Sequence, residues 1–288
     1  MSGGPAPVRD AADRPADPPA DPAPAGRWGD LAKRMWSAGA MVAFGAAEIW
    51  LGGGSFALIV IALIAVMIWE LAAMTAPARY NTPLTIASIA AASLFATIVL
   101  PEALSSAFLM LPALALALTP RRDRRITAFF GAAIMVAGYG MIDLRNTAGT
   151  PAFLWLVGVV ILSDVLGYFV GRTVGGPKFW PSLSPKKTWS GTVAGWAGAA
   201  LLGFGFVLAG RADWGLVILS PLVALAGQMG DIGESWIKRR CGVKDSSNLI
   251  PGHGGAMDRF DALTGAVVAV MLLQLVLPLP FPVPAGGP

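Results

Sequence analysis

The sequence predicts an all-α fold: a polytopic integral membrane protein of about nine transmembrane helices. Three observations predict it. Hydrophobic residues make up 55% of the 288-residue chain and charged ones only 13%, about half the charged share of a soluble protein. The apolar residues fall in long runs broken by charge or proline, and the basic residues segregate to alternate connections.

Taken in order, the expected spans are Met35–Leu51, Ser55–Met74, Pro83–Leu100, Ala103–Thr119, Ile126–Ile142, Pro151–Gly171, Gly191–Ala209, Trp214–Lys238 and Met257–Leu277. Each matches the roughly 20 apolar residues that cross about 30 Å of hydrocarbon as a helix. The first is the weakest, because Glu48 interrupts it and Gly52-Gly53-Gly54 leaves a tight connection. Residues 1–34 read as a disordered cytoplasmic tail rich in Pro, Ala and Asp, with seven prolines before Arg27. The tail has neither the apolar h-region of a secretory signal nor the acid-poor composition of a transit peptide. The spans divide into an N-terminal set over 35–150 and a C-terminal region over 151–278 in which the polar residues discussed below concentrate, followed by a short unstructured tail, 279–288. A single cysteine, Cys241, excludes a disulfide framework.

Cytoplasmic connections carry excess Lys and Arg. With the N-terminus in the cytoplasm, nine spans place 19 of the 21 basic residues on that side and leave Arg145 and Arg211 outside. The C-terminus then lies in the periplasm.

Carboxylates inside a membrane are costly and usually functional. Glu48 and Glu70 stand near span ends with no companion motif, and read best as acids reaching an interface or a neighbouring helix. Asp231, Glu234, Ser235 and Lys238 are different: spaced i, i+3, i+4, i+7, they form one polar stripe. Asp258 and Asp261 share a face at the start of the last span, after the glycine-rich turn Pro251-Gly252-His253-Gly254-Gly255. Glycines let backbone approach phosphate oxygens closely. Mg²⁺ prefers one or two carboxylates plus substrate phosphates and water. Asp231 and Asp258 would supply the pair, with Asp261 as a third ligand or support. A second basic segment, Ser184-Pro185-Lys186-Lys187-Thr188, follows a stripe of Asp164, Tyr168 and Arg172 at i, i+4, i+8. Both basic segments fall on the cytoplasmic side.

The run from Ser235 through Lys238, Arg239, Lys244 and Asp245 to Pro251–Gly255, Asp258, Arg259 and Asp261 resembles the signature of phosphatidate cytidylyltransferases, also called CDP-diacylglycerol synthases. Gly230 to Ser235, Ser184 to Thr188 and Asp164 to Arg172 are similar to other patterns of that family. The resemblance covers about Ser163–Asp261. Ser190 departs from it, standing where many relatives carry Glu. The resemblance implies a helical membrane enzyme with a polar cavity open to the cytosol, in the bacterial inner membrane, and assembled as a homodimer. It implies Mg²⁺ dependence, associates a monovalent cation such as K⁺ with the metal site, and matches the metal-binding aspartates to Asp231 and Asp258.

The expected reaction is attack by a phosphatidic acid oxygen on the α-phosphorus of CTP, with no nucleic acid involved. The acceptor phosphate is already largely anionic near neutral pH, with a second pKa of about 6, so no strong general base is required. Lys238, Arg259, Asp261 and Ser235 are the candidate catalytic side chains. Lys186, Lys187, Thr188, Arg239, Lys244, His253, Gly254 and Gly255 are the candidates for binding substrate phosphates, with His253 a hydrogen-bond partner in its turn. Two other readings stay open: a CTP-dependent lipid kinase and, more distantly, a transporter.

Overall fold

A computed structural model of the chain describes residues 39, 45–76, 82–181, 183–250 and 254–282. The tail at 1–34, most of the first expected span, the Pro251-Gly252-His253 segment and residues 283–288 lie outside the described residues. A helical stretch over 45–51 precedes α1 (Gly53–Thr75), α2 (Pro83–Val99), α3 (Glu102–Leu109), α4 (Leu111–Leu118), α5 (Arg124–Thr147) and α6 (Gly149–Thr173). A hairpin of β1 (Lys178–Trp180) and β2 (Ser184–Thr188) leads to α7 (Trp189–Leu208), α8 (Gly215–Cys241) and α9 (Met257–Gln274).

Five of these, α1, α5, α6, α7 and α8, are long and apolar enough to cross a bilayer by length and composition. Large apolar side chains such as Phe129, Leu201 and Ile218 stand exposed on the helix surfaces, as lipid-facing positions require. The chain is an integral membrane protein.

Two expectations need correction. The run Ala103–Thr119 is not one helix but two of eight residues each. Pro112, near the start of α4, has no N–H to continue the ladder and its ring clashes with the preceding turn. The chain is also not wholly α-helical. β1 and β2 pair antiparallel, Lys178 with Thr188 and Trp180 with Ser184, where a plain loop was expected. The hairpin is closed against the next helix by the Trp189 N–H, which donates to the Pro177 carbonyl at 3.0 Å.

α6, α7, α8 and α9 pack in succession, α1 packs on α2 and α5, and α5 packs on α9 to join the two halves. The core between them contains Ile64, Met67, Ile68 and Leu71 of α1 together with Met135, Leu156, Val223 and Val267.

Candidate active site

The site begins where α8 meets α9. A Cβ built on Gly265 would lie 2.9 Å from the Gly230 Cα, and one on Gly230 would lie 3.0 Å from the Gly265 Cα. Neither helix could carry a side chain there, so the two backbones approach more closely than side-chain packing allows. That approach brings Asp231 of α8 into side-chain contact with Asp261 of α9.

Two turns further along α8, Lys238 is buried, with 8% exposure. Its ammonium bridges Glu234 at 2.5 Å and Asp258 at 2.6 Å. Buried charges are tolerated when paired and hydrogen-bonded. Asp258 meets that condition fully: its Oδ2 also accepts from the Gly255 N–H at 2.7 Å, the Ser246 N–H at 3.0 Å and the Ser246 hydroxyl at 3.0 Å. Gly254, with φ 84°, occupies the left-handed region open to glycine. Its carbonyl accepts from the Ile250 N–H at 2.8 Å.

On the outer side of α8 lies a polar cavity of about 500 Å³. Its lining includes four cations, Arg172, Lys178, Lys186 and Lys187, and two acids, Asp164 and Asp231. Lys187 forms an ion pair with Asp231, which ties the hairpin to the α8 stripe. Thr188 lines the same cavity and caps α7, its hydroxyl accepting the Gly191 N–H at 3.3 Å. The inner wall is fixed by Gln228, whose amide donates to Ser163 at 3.1 Å and accepts from the Trp196 indole at 3.1 Å.

A second cavity of about 490 Å³ opens on the other side of the acid pair. It is apolar, bounded by Phe129, Phe130, Leu222, Met229, Val268 and Leu272, with Glu234 and Asp261 as its acidic members. The two cavities therefore adjoin through Asp231 and Asp261, one basic and one hydrocarbon-like.

The structure thus gathers Asp231, Asp261, Lys186, Lys187 and Thr188 around one junction, and Lys238, Asp258 and Gly255 beside it. Ser235 is half-buried on α8. Arg239, Lys244 and Arg259 are exposed and line neither of these two cavities. Arg239 donates to the Val243 carbonyl at 3.0 Å, at the end of α8. His253 lies outside the described residues. Among the described residues no group of three or more His, Cys, Asp or Glu stands ready to hold a metal ion. The fit to a divalent cation rests on Asp231 and Asp261, two hard oxygen donors in contact, which substrate phosphates would complete.

Sequence reasoning missed three participants. Gln228 precedes Asp231 by three residues and extends the same stripe by a turn, so periodicity could have found it. Glu70 is the larger omission: fully buried, it contacts the segment before α9. Its presence in an apolar run was the signal. Ser246 carried no signal. Beyond the stripe, Arg240 grips Asp123 with two hydrogen bonds of 2.8 and 2.9 Å, and this holds the Asp123 carboxyl below its usual range.

The sequence model of the cytidylyltransferase family matches residues 32–277. Similar proteins include the phosphatidate cytidylyltransferase of Brucella abortus biovar 1, 40% identical over 148 residues that cover 49% of this chain and 55% of that protein. That of Haemophilus influenzae is 42% identical over 144 residues, 46% of this chain and 50% of the relative. That of Staphylococcus saprophyticus is 37% identical over 155 residues, 51% and 60% respectively. The chain spans about half the length of the curated relatives it matches.

Proposed function

Since this chain belongs to the cytidylyltransferase family, we propose that it is a membrane nucleotidyltransferase that moves the cytidylyl group of CTP onto phosphatidic acid, forming CDP-diacylglycerol and releasing pyrophosphate. One observation carries the reading: a basic cavity and an apolar cavity adjoin at a carboxylate pair. A triphosphate and a lipid are two substrates of opposite character, and each finds a matching chamber there.

The nucleotide phosphates enter among Arg172, Lys178, Lys186 and Lys187. Fixed cations aimed at developing charge lower the barrier most effectively in a site that excludes water. The acyl chains lie along Phe129, Phe130, Leu222 and Leu272, which leaves the lipid phosphate at the junction. A phosphate oxygen of the acceptor attacks the α-phosphorus and forms a new P–O bond. The bond from that phosphorus to the bridging oxygen breaks, and pyrophosphate leaves with the electron pair. Lys187, anchored on Asp231, is placed to follow charge onto the leaving group. Lys238 keeps the carboxylates of Glu234 and Asp258 from repelling the incoming anions, and Arg259 and Ser235 are proposed to assist at the substrate phosphates.

Mg²⁺ is the proposed metal, held by Asp231 with Asp261 in contact and Asp258 a turn away on the same face of α9, with K⁺ as its monovalent companion. When bound, it would neutralise phosphate charge and polarise the reacting phosphoryl group. We place the chain in the bacterial inner membrane as a homodimer with nine crossings, the N-terminus and basic cavity cytoplasmic and the C-terminus periplasmic. The segregation of Lys and Arg supports that orientation.

The test is transfer of label. Purified chain in vesicles containing phosphatidic acid should move label from the α-phosphate of CTP into lipid, only with Mg²⁺, and leave γ-label in water-soluble pyrophosphate. Label entering lipid from the γ-position instead would make the chain a CTP-dependent lipid kinase and end the proposal.

A further inference from the structure

We infer that Glu70, on α1 of the N-terminal half, is a positioning residue for the reaction, holding the start of α9 so that Asp258 stays on Lys238. The inference rests on the function proposed above. It concerns a residue outside the stretch that carries the family signature.

Glu70 has 0% exposure, and the partners in its hydrogen bonds are neutral donors. Its Oε1 accepts from the Ser247 hydroxyl at 2.6 Å and the Ala256 N–H at 2.9 Å. Its Oε2 accepts from the Met257 N–H at 2.7 Å and lies 3.2 Å from the Ser246 hydroxyl, whose single proton is shared with Asp258. These contacts join residues 176 to 187 positions apart in the chain. They also explain Gly255, where any side chain would run into the Glu70 carboxylate.

The link to Asp258 lies in how three successive N–H groups are shared. Gly255 donates to Asp258, while Ala256 and Met257 donate to Glu70. Ser246 stands between the two acids, within hydrogen-bond reach of both. The first N–H groups of a helix have no partner within it and attract anions. Without a carboxylate at position 70, the Ala256 and Met257 donors are released next to Asp258, the nearest remaining acid. Asp258 would then turn toward them and away from Lys238. Both oxygens of Glu70 accept from a backbone N–H, so an amide there sets its NH₂ against one of those donors. Glutamine is therefore not a neutral replacement.

The experiment compares wild type, Glu70→Gln and Ser247→Ala, each as the full chain in phosphatidic acid vesicles. Ser247→Ala removes one donor to Glu70 without touching Asp258 or Lys238. Two quantities are read: steady-state transfer from α-labelled CTP at varied CTP and Mg²⁺, and amide hydrogen exchange of the 246–262 segment. Glu70→Gln should lower kcat by about 10- to 100-fold, the usual cost of losing a supporting partner. Its KM for CTP should stay within about twofold, because the loss is not one of binding contacts. The Mg²⁺ concentration for half-maximal rate should rise, and exchange at Ala256 and Met257 should accelerate. Ser247→Ala should show the same pattern more weakly. Wild-type kcat, Mg²⁺ response and exchange in Glu70→Gln would overturn the inference. Where that variant does not fold, wild-type behaviour of Ser247→Ala in both measurements does so. A folded wild-type chain that transfers no label is a separate outcome: it defeats the proposed function, and the exchange data then judge the Glu70 clamp by themselves.

Discussion

Lys238 sits between two acids at the end of a membrane helix, with little water to share its charge. The pairing is what permits burial: the Lys238 ammonium lies 2.5 and 2.6 Å from two carboxyl groups, where it would be costly to bury alone. Lys238→Met leaves Glu234 and Asp258 facing each other without a counter-charge. Removing one partner of a buried pair costs about 3–5 kcal/mol, so the variant should unfold at clearly lower temperature in detergent. It should also lose nearly all transfer activity. Lys238→Arg keeps the charge but replaces a compact ammonium with a larger planar fork, and should recover stability more fully than activity. Equal thermal stability of Lys238→Met and wild type would show that the triad is not what holds this end of α8. Glu234 and Lys238 were legible in the sequence as a pair because they share one helical face. Their contact with Asp258 was not, since spacing along a chain says nothing of which helices touch.

At the scale of elements, the α8 and α9 interface sets where the acid pair lies. Gly230 and Gly265 let the backbones meet, and Asp231 and Asp261 follow. Gly265→Ala inserts a methyl group where the partner Cα lies 2.9 Å away, an overpacking that costs about 1–3 kcal/mol. It should reduce transfer far more than it reduces CTP binding, because it moves the acids apart and leaves the basic cavity in place. A comparable loss of both, measured by nucleotide binding and by turnover, would mean the helices shift as a whole. Helix positions were mostly readable from the long apolar runs: α5, α6, α7 and α8 lie within a few residues of their expected bounds. The exceptions have local causes. Pro112 splits one run into α3 and α4. The hairpin was missed because three- and five-residue strands are too short to show alternation, and Lys186 and Lys187 already had an explanation as loop charge.

Across the whole molecule, the signature-bearing C-terminal half was the legible one. The N-terminal half reads from sequence only as apolar spans, yet it supplies Glu70 to the start of α9 and Phe129 and Phe130 to the apolar cavity. Long-range contact between halves leaves no periodic trace in one chain. Only the cost of an acid in hydrocarbon marked Glu70 as unusual. Two chambers on opposite sides of α8, one suited to phosphates and one to acyl chains, turn this bundle from a set of spans into a site. The proposed place of reaction is their junction, where Asp231 and Asp261 would hold the metal. The most direct measurement is a structure of the chain with Mn²⁺ in place of Mg²⁺ and a non-hydrolysable CTP analogue. The ion's anomalous peak is expected within coordination distance of the Asp231 carboxylate, with the triphosphate among Lys186, Lys187 and Arg172. A peak bound elsewhere, with Asp231 still paired only to Lys187, would contradict that placement.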